Sequence, residues 1–211
     1  MTNNDNGLPL AGIKVVEFTH MVMGPAVGAV LVELGAEVVR VEPVGGDSTR
    51  ELRGSGAGYF PMYNRNKKSI CLDLKNPEGL AVAKQLCQRA DVVIENFRTG
   101  TMDKLGLGYA ALSADNPRLI VVRVSGWGQS GPYSELPGFG SLVEGFSGYA
   151  HKHRDADGRP VLRHPAITVT YWRPPAVYVI GCAWMPACAQ LSSASPPGPS
   201  AGLSISGLTA S

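Results

Sequence analysis

Short runs of β-branched residues alternate with helix-forming segments over the first 126 residues of this chain, and no other feature constrains its fold as strongly. The strand-like runs lie at 13–18, 37–43, 67–74, 91–97 and 118–126. Because strands separated by helices build βαβ units, this order favours a mainly parallel sheet. We therefore predict an α/β fold in which a doubly wound, Rossmann-like sheet carries helices on its flanks.

Capping residues mark where the predicted helices begin and end. A helix through 26–35 is expected to end at Gly35, since glycine suits the left-handed conformation of a C-cap. Asn76 followed by Pro77 is typical of a helix start, and the glycine-rich segment 45–58 is expected to be a loop. The apolar strand residues expected in the core are Val15, Val16, Val38, Val39, Ile70, Leu72, Val92, Val93, Ile120 and Val122.

The last part of the chain has a different composition. No acidic residue follows Asp157 and no charged residue follows Arg173, and the sequence ends in a stretch rich in serine, proline and glycine. Such a stretch cannot alternate a solvated face with a buried one, which is typical of a poorly ordered tail. We predict a folded α/β region over residues 8–170 and a divergent tail over 171–211.

Composition excludes several classes of partner and compartment. The net charge of +2 comes from dispersed lysines and arginines, so no basic patch for nucleic acid is expected. The apolar residues 175–190 are shorter than the roughly 20 that a membrane span requires. Four cysteines without a CxxC pair, and a start without signal-peptide features, predict a cytoplasmic protein. His151 and His153 have no further ligands in a suitable pattern, so no metal site is expected.

The turn after the first strand, FTHMVMGP at 18–25, is where an open α/β sheet meets its ligand. It lacks the GxGxxG of dinucleotide sites, and Met21, Val22 and Met23 are too bulky for a close approach of a pyrophosphate, which disfavours a nicotinamide or flavin enzyme. Cations near the predicted strand ends can bind phosphate or carboxylate groups. They are Arg50, Arg65, Lys67, Lys68 and Arg98.

Taken in order, the motifs GIKVVEFTHMVMGP, LGAEVVRVEP, GGDSTR, YFPMYNRNKKSICLDLKNPEG, ADVVIENFRTGTMDKLGLGY, NPRLIVVRVSGWGQSGPY and PGFGSLVEGFSG resemble those of the class III CoA-transferases, the CaiB/BaiF or formyl-CoA transferase-like family. The resemblance runs from about Leu8 to about Pro165. It implies a Rossmann-like large domain, interlocked dimers and transfer of CoA from an acyl-CoA to a carboxylic acid, with CoA as substrate and no covalently bound cofactor. The positions that it assigns to the CoA site are His20, Met21, Val22, Leu72, Asn96, Phe97 and Lys104.

The resemblance also implies one nucleophilic aspartate, whose carboxylate attacks the thioester and passes through a mixed anhydride to an aspartyl-CoA thioester. That aspartate is expected near Thr170, but no acidic residue occurs there. A threonine hydroxyl without a partnering base is a poor substitute, so no catalytic residue is assigned. A truncated or frame-shifted product of a longer gene is one hypothesis for this difference.

Several functions remain open at the level of sequence. The chain is a CoA-transferase that has lost its nucleophile, an inactive module that binds CoA or forms a dimer with itself or a full-length homologue, or a fragment without function. An acyl-CoA racemase of the same superfamily is a further alternative, although it would need a histidine and an aspartate as acid and base. The acyl group and the acceptor acid are not readable from these residues.

Overall fold

The computed structural model describes residues 7–161 and 189–193 of the chain. Six strands lie in one sheet. They are β1 (Lys14–Phe18), β2 (Glu37–Glu42), β3 (Lys68–Cys71), β4 (Val92–Glu95), β5 (Ile120–Val124) and β6 (Ala189–Ser193).

The sheet has the order β3-β2-β1-β4-β5-β6. The pairs β1–β2, β2–β3, β1–β4 and β4–β5 are all parallel. Five parallel strands with intervening helices confirm the predicted α/β, Rossmann-like fold. The order reverses direction at β1, which lies between β2 and β4, so the sheet is doubly wound.

Helices fill the connections between the strands. They are α1 (Met23–Glu33), α2 (Tyr59–Asn64), α3 (Pro77–Gln88), α4 (Thr101–Lys104), α5 (Tyr109–Asp115), α6 (Gly140–Phe146) and α7 (Tyr149–Lys152). The Asn76 side chain caps α3 by accepting a hydrogen bond from the backbone N–H of Glu78 at 2.9 Å, as the sequence predicted. Gly35 follows α1 with a φ of 104°, which fits its predicted place at the helix end.

The segment predicted as a loop, 45–58, is more structured than expected. It contains two short 3₁₀ helices, Ser48–Glu51 and Gly54–Gly56, and leads into α2. Asp47 starts the first of them, since its side chain accepts hydrogen bonds from the backbone and the hydroxyl of Thr49 at 2.7 and 2.6 Å. Glycine content alone therefore gave a wrong prediction here, because a capping side chain overrides it.

Alternation along the strands divides the core between the two faces of the sheet. One face buries Val16, Phe18 and Val93 with residues of α3, α4 and α5. The other face buries Val15, Val38, Ile94 and Val122 against α1. Helices therefore cover both faces, as a buried parallel sheet requires.

Nine of the ten predicted core residues are buried or half-buried, but Ile120 is 36% exposed. The prediction was wrong at this position because Ile120 begins β5 at the amino edge of the sheet. Its register partner there, Val92, is only half-buried as well.

The described residues form two compact units, one of 7–124 with 191–193 and the other of 125–161 with 189 and 190. In the second unit Gly126 and Gly138 approach so closely that a Cβ added to Gly126 would lie 2.5 Å from the Cα of Gly138. Its aromatic rings also cluster, and Trp127 lies 5.1 Å from Phe146 between ring centroids.

The predicted boundary between a folded region and a tail, at residues 170 and 171, lies outside the described residues and stays a prediction. Of the tail, only strand β6 is described, and it lies beside β5 in the sheet. Over the described ranges, no helix has the length and apolar character needed to cross a membrane.

Candidate functional site

The loops that follow β1 and β4 meet at the carboxyl edge of the sheet. β1 and β4 are adjacent and parallel, and the direction of winding changes between them. In open α/β sheets this switch point forms a crevice in which ligands bind. The candidate site therefore lies between residues 19–22 and residues 96–100.

Asn96 connects these two loops through both ends of its side-chain amide. Its Oδ1 accepts a hydrogen bond from the backbone N–H of His20 at 3.0 Å, and its Nδ2 donates to the backbone carbonyl of His20 at 2.9 Å. We call this pair of hydrogen bonds the Asn96 clamp. The imidazole of His20 remains exposed beside it.

The turn held by the clamp has an unfavourable backbone. Met21 has a φ of 63°, and for a residue with a side chain this left-handed conformation costs roughly 1–2 kcal/mol. Val22 precedes α1 without any side-chain hydrogen bond that caps the helix. Contacts from outside the turn must therefore hold it in place.

The β4–α4 connection supplies two more predicted ligand residues. Phe97 is half-buried against the core, and its backbone N–H donates to Glu95 Oε2 at 2.8 Å. Lys104 ends α4 and is exposed, and among the described residues its ammonium group takes part in no ion pair.

Leu72 follows β3 at the same edge, but β2 separates β3 from β1. Its backbone N–H donates to the carbonyl of Glu42 at 2.9 Å, and its side chain is half-buried against the core. The structure thus joins Asn96 to His20, and Met21 and Val22 follow His20 in the same turn. Phe97 and Lys104 belong to the adjoining connection, and Leu72 lies two strands from β1.

A buried network of charged side chains lies behind the turn and was missed at the sequence level. Lys67 Nζ donates to Glu17 Oε1 and to the carbonyl of Pro25, both at 2.8 Å, and Arg40 Nη1 donates to Glu17 Oε1 at 3.1 Å. The buried charged members of this network are Glu17, Arg40, Glu42, Asp47 and Lys67, and Arg50 joins them from the surface with a side chain that is 44% exposed. With Arg50 included, three carboxylates and three cations cancel in formal charge, which makes the burial of the other five tolerable.

Lys67 and Glu42 in this network have strongly displaced pKa values. Burial lowers the pKa of Lys67 to about 8, against the opposing effect of Glu17. Hydrogen bonds from Arg50 lower the pKa of Glu42 to about 2. Arg50 is held by this carboxylate at 2.8 and 2.7 Å and lies over the ring of Phe60, 3.9 Å from its centroid.

These contacts change the interpretation of the predicted cations. The side chain of Lys67 is 1% exposed and forms its hydrogen bonds inside the protein. Arg65 pairs with Glu33, and Lys68 pairs with Glu37 at 3.3 Å. The usable signal in the sequence was a charge in the interior of each apolar strand, Glu17 in KVVEF and Arg40 in EVVRVE, because a strand covered on both faces has no solvated side for it.

Glu95 lies directly beneath the clamp at the end of β4 and is 4% exposed. Burial raises its pKa to about 7, although the hydrogen bond from Phe97 and the nearby Arg123 act in the opposite direction. Arg123 also lies 3.6 Å from Asp103 on α4. A carboxyl group that titrates near neutrality therefore supports the loop that carries Asn96 and Phe97.

Comparison with known proteins gives the family. Residues 10–184 match the model of CoA-transferase family III. The chain belongs to CoA-transferase family III. This confirms the resemblance drawn from the motif series.

Among the family III relatives, succinate–glutarate CoA-transferase of Agrobacterium fabrum is 41% identical over 75% of this chain and 42% of its own length. Succinyl-CoA–D-citramalate CoA-transferase of Chloroflexus aurantiacus is 48% identical over 66% of this chain and 36% of its own. A solved CaiB/BaiF family protein from Brucella suis is 40% identical with a TM-score of 0.71, covering 76% of this chain and 45% of that one. The chain thus spans less than half the length of these relatives.

Two further sequence predictions concern the family aspartate and the absence of a metal site. Thr170, near which the family aspartate is expected, lies outside the described residues. Within the ranges 7–161 and 189–193, no group of three or more histidine, cysteine or acidic residues is arranged to hold a metal ion.

Proposed function

We propose that this family III chain binds CoA or an acyl-CoA at the crevice between β1 and β4 and does not by itself transfer CoA. The observation that carries the proposal is the clamped turn at the topological switch point. The strand order of the sheet, in which the winding changes direction between β1 and β4, supports the same site.

The chemistry of the crevice suits a long, polyanionic thiol carrier. The exposed imidazole of His20 and the ammonium of Lys104 can meet phosphate groups, whereas Phe97 offers an aromatic ring to an adenine or a pantetheine arm. The turn itself is shaped by Met21 and Val22 rather than by glycines, which favours CoA over a dinucleotide.

Absence of transfer is proposed from the sequence. Attack on a thioester requires a nucleophile that is ionised or activated by a base, and no acidic residue follows Asp157 in this chain. Thr170 occupies the expected region with a hydroxyl that has no acidic neighbour in sequence. We therefore expect binding without a covalent CoA adduct.

A role as a partner for a full-length homologue is the second candidate. Succinyl-CoA–L-malate CoA-transferase of Chloroflexus aurantiacus is named as having alpha and beta subunits, and both resemble this chain at 40–42% identity. A chain that binds CoA but lacks the nucleophile could act beside one that carries it. Co-purification with a full-length family III protein tests this candidate.

The decisive test is a thermal-shift titration of the full 211-residue chain with CoA, acetyl-CoA and succinyl-CoA, with NAD as the control ligand. At a hundredfold excess over the dissociation constant, binding should raise the melting temperature by about 5 °C or more. A cooperative melt that CoA leaves unchanged would overturn the proposed function. A CoA adduct in the intact mass spectrum would show that the chain does hold a nucleophile.

A further inference from the structure

The reciprocal hydrogen bonds between Asn96 and His20 assign a role to Asn96 that differs from direct ligand contact. We propose that Asn96 is a positioning residue, which holds the backbone of the His20–Val22 turn in the conformation that binds CoA. This inference rests on the proposed function.

Both ends of the Asn96 amide are bonded to the turn. Both polar backbone groups of His20 are bonded to Asn96, at 3.0 and 2.9 Å, although the side chain of His20 is exposed. If the amide were reversed, its NH₂ group would face the N–H of His20 and its oxygen would face the carbonyl of His20. Only one orientation of the amide therefore forms both hydrogen bonds.

Asn96 also packs closely against the start of α1. A Cβ added to Gly24 would lie 2.9 Å from the Cγ of Asn96 and 2.7 Å from the Cβ of Thr19. The amide is therefore confined between the turn and the first residues of α1. A side chain at Gly24 would displace it.

The turn needs support from outside its own sequence. Met21 has a φ of 63° and Val22 lacks a side-chain cap, so the local sequence does not favour this conformation. The backbone N–H of Asn96 also donates to the carbonyl of Phe18 at 3.3 Å. This backbone bond continues the β1–β4 pairing by one residue, so the clamp connects the turn to the rigid sheet.

The chain offers a matched control at the opposite edge of the sheet. Asn116 Nδ2 donates to the carbonyl of Ala90 at 2.9 Å, and Asn116 Oδ1 accepts from the N–H of Arg118 at 3.3 Å. Like Asn96, it ties two backbone segments together, but it lies before β5 and away from the crevice.

The experiment compares Asn96→Ala, Gly24→Ala and Asn116→Ala in the full chain. CoA affinity is measured by calorimetry, and hydrogen exchange of the His20 amide is measured by NMR without ligand. We expect Asn96→Ala and Gly24→Ala each to weaken CoA binding about tenfold and to accelerate exchange at His20, with Asn116→Ala within about twofold of the wild type. Gly24→Ala is informative because it disturbs the clamp while leaving the amide of Asn96 intact.

Three results would overturn the proposal. Loss of affinity in Asn96→Ala alone, with exchange at His20 unchanged, would make Asn96 a direct ligand contact. Equal losses of CoA affinity in Asn96→Ala and Asn116→Ala would indicate general destabilisation of the fold. The comparison of these two variants remains valid even if Gly24→Ala does not fold. Unchanged affinity in Asn96→Ala would remove any role in binding. A wild-type chain that does not bind CoA would refute the proposed function instead, and exchange at His20 would still decide whether the clamp exists.

Discussion

Glu95 on β4 and Arg123 on β5 are register partners in adjacent parallel strands, and Glu95 Oε1 lies 3.8 Å from Arg123 Nε. The distance exceeds that of a hydrogen bond, so the arginine compensates only part of the desolvation of the buried carboxyl. The balance leaves Glu95 with a pKa of about 7 beneath the candidate site.

Stability should therefore fall as the pH rises through neutrality. Because the folded-state pKa of Glu95 is raised above its unfolded value, its contribution is fully present below about pH 4.5 and is lost as the pH passes 7. Glu95→Gln should remove this dependence and raise the free energy of unfolding at pH 8 by up to about 3 kcal/mol. Urea denaturation between pH 5 and 8 measures it.

The control for Glu95 is Glu37→Gln, an exposed carboxylate on β2 that pairs with Lys68. This variant should retain the pH dependence of the wild type. An identical pH profile for the wild type and Glu95→Gln would show that Glu95 is ionised throughout this range.

Lys67 and Lys68 are neighbours in sequence with opposite surroundings. Lys67→Met removes two buried hydrogen bonds to Glu17 and one to the carbonyl of Pro25. It should lower the free energy of unfolding by about 3–5 kcal/mol. Lys68→Met changes an exposed pair and should cost less than about 1 kcal/mol. Equal denaturation midpoints for the two variants would contradict the assignment of Lys67 to the interior.

Replacing glycine by alanine usually stabilises a helix, but at Gly28 in α1 we expect the opposite effect. A Cβ at this position would lie 1.8 Å from Glu17 Oε2 and 2.9 Å from Lys67 Nζ. Gly28→Ala should therefore destabilise the chain by about 1–3 kcal/mol, measured as a lower melting temperature. Gly145→Ala in α6, where a Cβ would meet nothing within 4 Å, should be neutral or stabilising by up to about 1 kcal/mol. A stable Gly28→Ala variant would argue against the tight contact.

Lys104 should contribute to CoA affinity through charge. Lys104→Gln is expected to weaken binding about two- to fivefold at low salt, and the difference should shrink as salt is added. Lys84→Gln on α3 is the control, since that lysine lies 3.7 Å from Asp115. Affinities measured at two salt concentrations distinguish the variants, and an equal loss in both would refute a site at Lys104.

The sequence predicted those elements whose signals are local. Asn76 and Pro77 marked the start of α3, and the β-branched runs marked the parallel strands, because capping and apolar periodicity act over a few residues. The Asn96 clamp joins residues 76 positions apart in the chain, so no short motif could reveal it.

The same reason explains why the buried network was missed. Glu17 and Lys67 are 50 positions apart, and each is a lone charge among unrelated neighbours in sequence. Only the β1-β2-β3 order brings their strands and loops together. The resemblance to the family assigned His20 and Asn96 to one site without any geometric argument. The structure brings these two residues into contact.

The five buried charged residues of the network also limit how this chain can change over generations. A single substitution that adds or removes a charge there leaves one ion without its counterpart in a medium of low polarity, and most such changes would impair folding before any compensating change arises. Charge at these positions should therefore vary between homologues in matched pairs, as an exchange of one acid together with one base, rather than one position at a time.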